Sequence, residues 1–317
     1  MLDGGLVRIL SRNKLSVFLF HKVPQELNPL VPGETTFSIF ENSLRFISEN
    51  FQIIPLDDAV KSLSERRLTE RTACITFDDG YSDWMLGAVP LLEQMNLHAT
   101  FFITTGQYSG LPMWNERILN AIRSAESDQV FLLDSGLPPL PTATVEQKIA
   151  TISCLEQHFK YQSLAFRNEM LEQLESITGA NPGVLSSMSV EQLRRLESRG
   201  FGIGAHTVNH PILRFCDSES TVFELGSAKE TLEGIVGRRI TAFAYPNGRS
   251  HVDFSSDTIR LVKSAGYEYA MTTDWGVADV ETPLHQIPRF TPWGPDAIKM
   301  KFQILRNLIK KPVYMAE

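Results

Sequence analysis

Two short stretches of this 317-residue chain hold the residue types and spacings that metal-assisted hydrolysis needs. The first is Thr76-Phe77-Asp78-Asp79-Gly80, an apolar run ending in two adjacent carboxylates and a glycine. Neighbours on a strand point to opposite sides, but at a strand's end the pleat relaxes and both carboxylates can reach one site. The second is His206-Thr207-Val208-Asn209-His210. Imidazoles four residues apart can face one side of a helical turn and bind a single ion. Together the stretches offer two imidazoles and one carboxylate as ligands, with a second carboxylate left over to move a proton. Three protein ligands leave positions open for water and substrate, which marks a catalytic rather than a structural site. Each stretch alone has a plainer reading: an Asp-Gly turn for the first, a capping and packing role for the second.

Elements that could position these residues alternate along the chain. Strands are expected at Leu15–Phe20, Phe51–Pro55, Ala73–Phe77, Ala99–Thr104, Gly202–Ala205, Thr241–Ala244 and Tyr269–Thr273. Helices are expected at Phe40–Asn50, Leu56–Arg66, Trp84–Met95, Val190–Arg199, Glu219–Val236, Ser255–Ala265 and Asp296–Leu308. Ser189 with Gln192, and Thr144 with Gln147, have capping-box spacing at helix starts, the second for a helix reaching about Phe159. Strand–helix alternation favours a parallel sheet or barrel, and both chemical stretches follow strands, so a barrel would bring them to one rim. Between Gln107 and Met188 the alternation gives way to helices and a Pro-rich loop, Gly136 to Pro141. This stretch reads as an insertion at about 107–188 in a single domain.

Bulk properties set outer bounds. A net charge of -7 and a pI of about 5.6 argue against a protein that grips nucleic acid over a broad face. Cys74, Cys154 and Cys216 are odd in number and far apart, so no disulfide framework is expected. The longest N-terminal apolar run falls far short of the roughly 20 residues that span a bilayer, and no secretory signal pattern precedes it. These features predict a cytoplasmic protein, with peripheral membrane contact through Leu6 to Lys14 as the alternative.

The paired stretches resemble the first two motifs of the polysaccharide deacetylases of the NodB-homology type, carbohydrate esterase family 4. The resemblance runs from about Ser16 to Trp293, leaving out the helical insertion. It implies an α/β fold, a distorted seven-stranded (β/α) barrel of the TIM type. It also implies hydrolytic removal of N-acetyl groups from a carbohydrate, in exopolysaccharide or cell-surface glycan metabolism. Asp79, His206 and His210 would bind a divalent metal, and Asp78 would be the general base. Zinc suits this ligand set, and Co2+, Ni2+ and Fe2+ remain compatible.

A third match is Ala244-Tyr245-Pro246-Asn247-Gly248, where the family has an arginine, a proline and an aromatic residue before the glycine. The Asn247 N–H would hold the developing oxyanion. Ala244 stands where the family's arginine does, so Arg289 is expected to take over orientation of the base; a surface or structural salt bridge is its other reading. Asp274-Trp275 resembles the fourth motif, with Trp275 walling the acetyl pocket or serving as a core aromatic. The fifth motif's acid histidine has His285 as its positional candidate, although Leu284-His285 is spaced differently from the family's Leu-x-His. His21 resembles a histidine found after the first strand in some members. Substrate contacts are therefore expected from His21, Tyr81, Trp114, Tyr245, Pro246 and Trp275, with Trp114 alternatively anchoring the insertion. Two further readings compete with the deacetylase: a small-molecule amide or imide hydrolase on the same barrel, and a barrel that binds sugar or a partner without turnover.

Overall fold

The structure, a computed structural model, describes residues 4–110, 112–181, 187–292 and 297–316. Trp293, Asp296 and residues 182–186 of the expected insertion lie outside them. In chain order the elements are α1 (Gly4–Leu10), β1 (Ser16–Phe20), α2 (Phe37–Asn50), β2 (Gln52–Ile53), α3 (Leu56–Ser64), β3 (Thr72–Asp79), α4 (Ala88–Gln94) and β4 (Thr100–Ile103). Then come α5 (Trp114–Ser124), β5 (Gln129–Val130), β6 (Leu140–Pro141), α6 (Val145–Lys160), α7 (Leu164–Thr178), α8 (Val190–Ser198) and β7 (Gly202–Ala205). The remainder are α9 (Ser218–Val236), β8 (Ala242–Ala244), α10 (Ser256–Ser264), β9 (Tyr269–Met271) and α11 (Ala297–Ile309).

Seven strands form one parallel sheet in the order β1-β3-β4-β7-β8-β9, with β2 beside β3. Its two edges are joined by an extended segment absent from the expected strands. Ile287 bridges Met271, and Phe290 bridges Phe18, both in parallel. The Phe290 N–H donates to Val17 O at 2.8 Å, and the Leu19 N–H donates to Phe290 O at 2.9 Å. Segment 287–290 thereby curls the sheet into a barrel, which leaves no edge open at this seam.

Strand alternation sorts the side chains. Leu15, Val17, Cys74, Phe102, Ala242, Ala244, Met271 and Ile287 fill one cluster with the apolar face of α3. The outward rows pack under the other helices, where Phe77 stacks on Phe101 at 4.9 Å and both meet Trp84. Gly204 has no side chain because a Cβ there would lie 2.5 Å from the Phe102 ring. Cys74, Cys154 and Cys216 are all free.

Three local expectations are corrected. Trp84–Met95 is not one helix: a 3-10 turn, Ser82–Met85, is followed by Gly87 outside helical geometry, and α4 then starts so that Pro90 falls in its first turn, where no N–H is needed. The Pro-rich loop ends in β6, which pairs antiparallel with β5. The segment 287–290, left out of the expected strands, is extended and bridges β9 to β1. Both capping boxes form, at Thr144 and Ser189.

Between β4 and β7 of the sheet, α5, α6 and α7 share a cluster of their own around Ile122, Leu155, Phe159 and Leu171. A bidentate ion pair joins two of these helices, Arg117 Nε to Glu175 Oε1 at 2.6 Å and Nη2 to Oε2 at 2.7 Å. Arg117→Met strands that carboxylate in apolar surroundings, with an expected loss of about 3 kcal/mol in urea denaturation. Elsewhere, Asp83 accepts the Val23 N–H at 2.7 Å and so pins the segment after β1 to the turn after β3. Burial pushes its carboxyl up to about 6, against the opposing pull of the Val23 N–H and Lys22. The folded value exceeds the unfolded one of about 3.9. Between pH 4 and 6 the folded chain therefore holds a proton that the unfolded chain has released, and stability falls as pH rises through that window. Asp83→Asn should remove this decline, on the order of 2 kcal/mol, when urea midpoints at the two pH values are compared with those of the parent.

Candidate metal centre and active site

Asp78 ends the inward row of β3 and is 1% exposed. Arg289, equally buried on the closing segment, meets it with both ends of the guanidinium: Nη1 to Oδ1 and Nη2 to Oδ2, each 2.6 Å. The Arg289 Nε donates to the Thr272 carbonyl at 3.0 Å, which fixes the plane of the fork. Burial pushes the Asp78 carboxyl up; the charge of Arg289, then that of His206, outweighs it and holds the group below the usual carboxylate range. Arg289, and not residue 244, is thus the arginine that meets Asp78.

Alternation along β3 would send the Asp79 side chain outward. Asp79 instead has φ +87°, followed by Gly80 at +86°. This turn brings the second carboxylate to the barrel mouth, where its carbonyl accepts the Thr104 hydroxyl at 2.7 Å. A non-glycine residue in this region costs about 1–2 kcal/mol. Thr207, His210 and Asn247 also have positive φ, so the strain gathers around one site.

The two histidines are brought together by a loop, not by the helical turn that their spacing suggests. Thr207 (φ +67°) and His210 (φ +53°) fold the five residues back so that the imidazole centroids lie 4.8 Å apart. Loop conformation is set by neighbours. Glu224 of α9, fully buried, accepts the N–H groups of Val208 and Asn209, each at 2.8 Å, and the Asn209 amide at 2.7 Å. Arg167 of α7 donates to the carbonyls of Asn209 at 2.6 Å and His210 at 3.4 Å. The Gly106 N–H reaches Val208 O, and a Cβ on Gly106 would lie 2.7 Å from that oxygen. Neither Arg167 nor Glu224 was singled out from the sequence. Their signal was a charged residue on the buried stripe of a helix: Arg167 with Met170, Leu171 and Leu174, and Glu224 with Thr221, Leu225, Ala228 and Leu232.

Asp79, His206 and His210 present ligand atoms that all lie within 4.8 Å of one another. His206 Nδ1 sits 2.8 Å from the Ala244 carbonyl, which can only accept, so Nδ1 carries the proton and the Nε2 lone pair faces the site. His206 Nε2 and His210 Nε2 approach Asp79 Oδ1 at 3.4 and 3.6 Å, yet that buried oxygen makes no hydrogen bond. Burial pushes the His210 imidazole down to about 3, so it is neutral. For His206 burial is outweighed by the facing Asp78 and Asp79 carboxylates, which raise it. Asp79 is held low despite its burial, first by His206 and then by His210 and His21. A divalent cation satisfies all three convergent atoms at once, so these residues fit a metal ion.

A cavity of about 610 Å³ opens over Asp78, Asp79, His206 and His210, and Asn247, Trp275, Trp114 and His21 help to wall it. The Asn247 carbonyl is held by the Thr273 hydroxyl, Trp275 packs edge-on against Phe290 at 5.0 Å, and Trp114 opens α5 beneath the Arg167 guanidinium. A second lobe of about 470 Å³ shares His21 and Asp79 and contains Tyr81, whose hydroxyl receives the Asn115 amide at 3.3 Å. Three expected residues stand elsewhere. Tyr245 is 1% exposed, stacked on Phe254 at 3.9 Å, with its hydroxyl on the His285 carbonyl. It is a core aromatic because β8 continues its outward row from Phe243. Pro246 is buried behind the cavity wall. His285 lies in the turn Leu284–Gln286 against α10, and its Nε2 is 3.0 Å from the Tyr267 carbonyl. Its ring lines neither lobe, so the structure does not bring it to the carboxylates; His21 stands there instead.

Comparisons with known proteins show the family and the fold. A sequence profile of the family described as Polysaccharide deacetylase matches residues 65–126 and 166–270, more than half of the chain, leaving out much of the helical segment between β4 and β7. YxkH of Bacillus subtilis (strain 168), assigned by name to the polysaccharide deacetylases, is 18% identical over 278 residues, which is 87% of this chain and 70% of that protein. Among solved structures, the Streptococcus pyogenes deacetylase PplD in complex with acetate superposes with a TM-score of 0.62 at 17% identity, covering 94% of this chain and 99% of that one. IcaB from Ammonifex degensii gives 0.57 at 16% identity, covering 93% and 97%. At such identities the superpositions show the shared fold, while the profile shows the family. This chain belongs to the polysaccharide deacetylase family, hydrolases that act on carbohydrate substrates.

Proposed function

We propose that this chain is a metal-dependent N-deacetylase that hydrolyses the acetamido group of an N-acetylated sugar in a glycan. The reading rests on one observation: His206 Nε2 and His210 Nε2 converge on Asp79 Oδ1, a buried oxygen with no hydrogen bond, beside an ionised Asp78. Held by Asp79, His206 and His210, a divalent cation, Zn2+ foremost, would supply a bound water of lowered pKa and a Lewis acid for the carbonyl. The remaining work falls to the chain's own groups. Asp78 takes the proton of the attacking water, and Arg289 keeps its carboxylate charged and aimed. The Asn247 N–H donates to the carbonyl oxygen as charge builds there, a contribution of about 3 kcal/mol for one such donor. Trp275 walls the acetyl group, Trp114 offers aromatic surface to sugar rings, and Tyr81 lines the second lobe. His21, at the junction of the two lobes, protonates the departing amine.

Metal content and acetate release from N-acetylglucosamine oligomers test this directly. Asp79→Ala should lose metal and activity together. Asp78→Asn should keep its metal while kcat falls about 10²–10⁴-fold; full turnover in that variant would sink the base assignment. The acid is tested by a paired comparison. His21→Gln should lower kcat by about 100-fold or more, whereas His285→Gln should stay near the parent, and the opposite pattern would return the role to His285.

A further inference from the structure

Residues 297–311 read AIKMKFQILRNLIKK, and this last helix has two unlike faces. Met300, Ile304 and Leu308 recur every four residues, are buried in the main core, and dock α11 on the body of the protein. On the other face Ile298, Phe302 and Ile309 are 66%, 64% and 64% exposed. At 3.6 residues per turn these three lie within about 40° of one another around the helix. Lys299 and Arg306 flank this strip on one side and Lys301 on the other. Helix α1 packs beside α11, with Val7 buried and Ile9 73% exposed, and Val313 beyond α11 is 72% exposed. No Asp or Glu occurs at positions 4–14 or 297–316, although the chain as a whole carries a net charge of -7.

An outward apolar strip between rows of lysine and arginine is the pattern of a helix lying in the plane of a membrane interface. The isoleucines and phenylalanine would enter the boundary of the acyl chains, and the basic rows would meet anionic headgroups. Charge decides against a second copy of the chain as the occupant, because a two-fold contact would set one cationic ridge against another. We propose that the outer face of α1 and α11 docks this protein on an anionic lipid bilayer. This face carries none of the candidate metal ligands and stands whether or not the hydrolytic reading does.

The test is cosedimentation of the full chain with vesicles of phosphatidylcholine alone and of phosphatidylcholine mixed with phosphatidylglycerol. The protein should pellet with the anionic vesicles only, and raised salt should weaken the association. Lys299→Gln should lower partitioning about fivefold, the share of one basic residue near such a surface. Phe302→Glu should lower it by at least about tenfold, with Ile309→Ser as a second variant, and both should melt with the parent because these side chains touch little of the core. Parent protein left in the supernatant with both vesicle types, or Phe302→Glu pelleting like the parent, overturns the proposal. So does a concentration-dependent dimer in sedimentation velocity that Phe302→Glu abolishes, which would assign the face to a second copy.

Discussion

The buried pairing of Arg289 with Asp78 links the closure of the barrel to its chemistry. Arg289 is carried by the segment 287–290 that joins β9 to β1, and Asp78 ends the inward row of β3. Neither charge is stable there alone, since an unpaired ion in such surroundings costs several kcal/mol. The barrel therefore cannot close correctly without presenting an ionised, oriented carboxylate at its mouth. A buried pair of this kind adds little net stability over an apolar pair of the same volume. Its value is positional: two parallel hydrogen bonds fix the carboxylate plane, which a lysine's point charge would not do.

Around that fixed point the backbone is strained, and the strain is shared. Asp79, Thr207, His210 and Asn247 all hold positive φ. Such conformations persist only where neighbours over-determine them. Glu224 holds the N–H side of the histidine loop and Arg167 holds its carbonyl side. Arg167 belongs to α7, in the helical segment between β4 and β7, and its guanidinium also covers Trp114. That segment, with its own small core, thus braces the loop that carries two of the three candidate ligands and contributes an aromatic wall to the cavity.

The site's electrostatics follow from crowding a small number of groups away from water. Burial alone would neutralise both aspartates and both histidines. Arg289 keeps Asp78 charged, and the histidines keep Asp79 charged. The two imidazoles then diverge. At His206, which donates Nδ1–H to Ala244, the Asp78 and Asp79 carboxylates outweigh burial, while at His210 burial prevails over Asp79, with the charges of His206 and Arg167 adding to it. A cation bound at their convergence would take the place of the proton that His206 otherwise draws.

Local sequence carried much of this protein. Alternating apolar runs marked nearly every strand of the parallel sheet, capping residues marked helix starts, and the paired stretches at Asp78-Asp79 and His206–His210 marked the rim where chemistry gathers. These are signals of short range, set by side-chain type and by the periods of strand and helix. Long-range pairing decided the rest. Segment 287–290 has no strand-like run of its own; it is extended because two sheet edges need a partner. His285, a candidate by position, and Tyr245, a candidate by motif, are turned away from the cavity by the direction of their backbone. His21 lines the cavity with the carboxylates because β1 lies beside β3, with Phe20 pairing to Phe77, 57 residues on. Arg167 and Glu224 were visible only as charges on otherwise apolar helix stripes, and what those charges were for depended on which loop the tertiary structure placed against them.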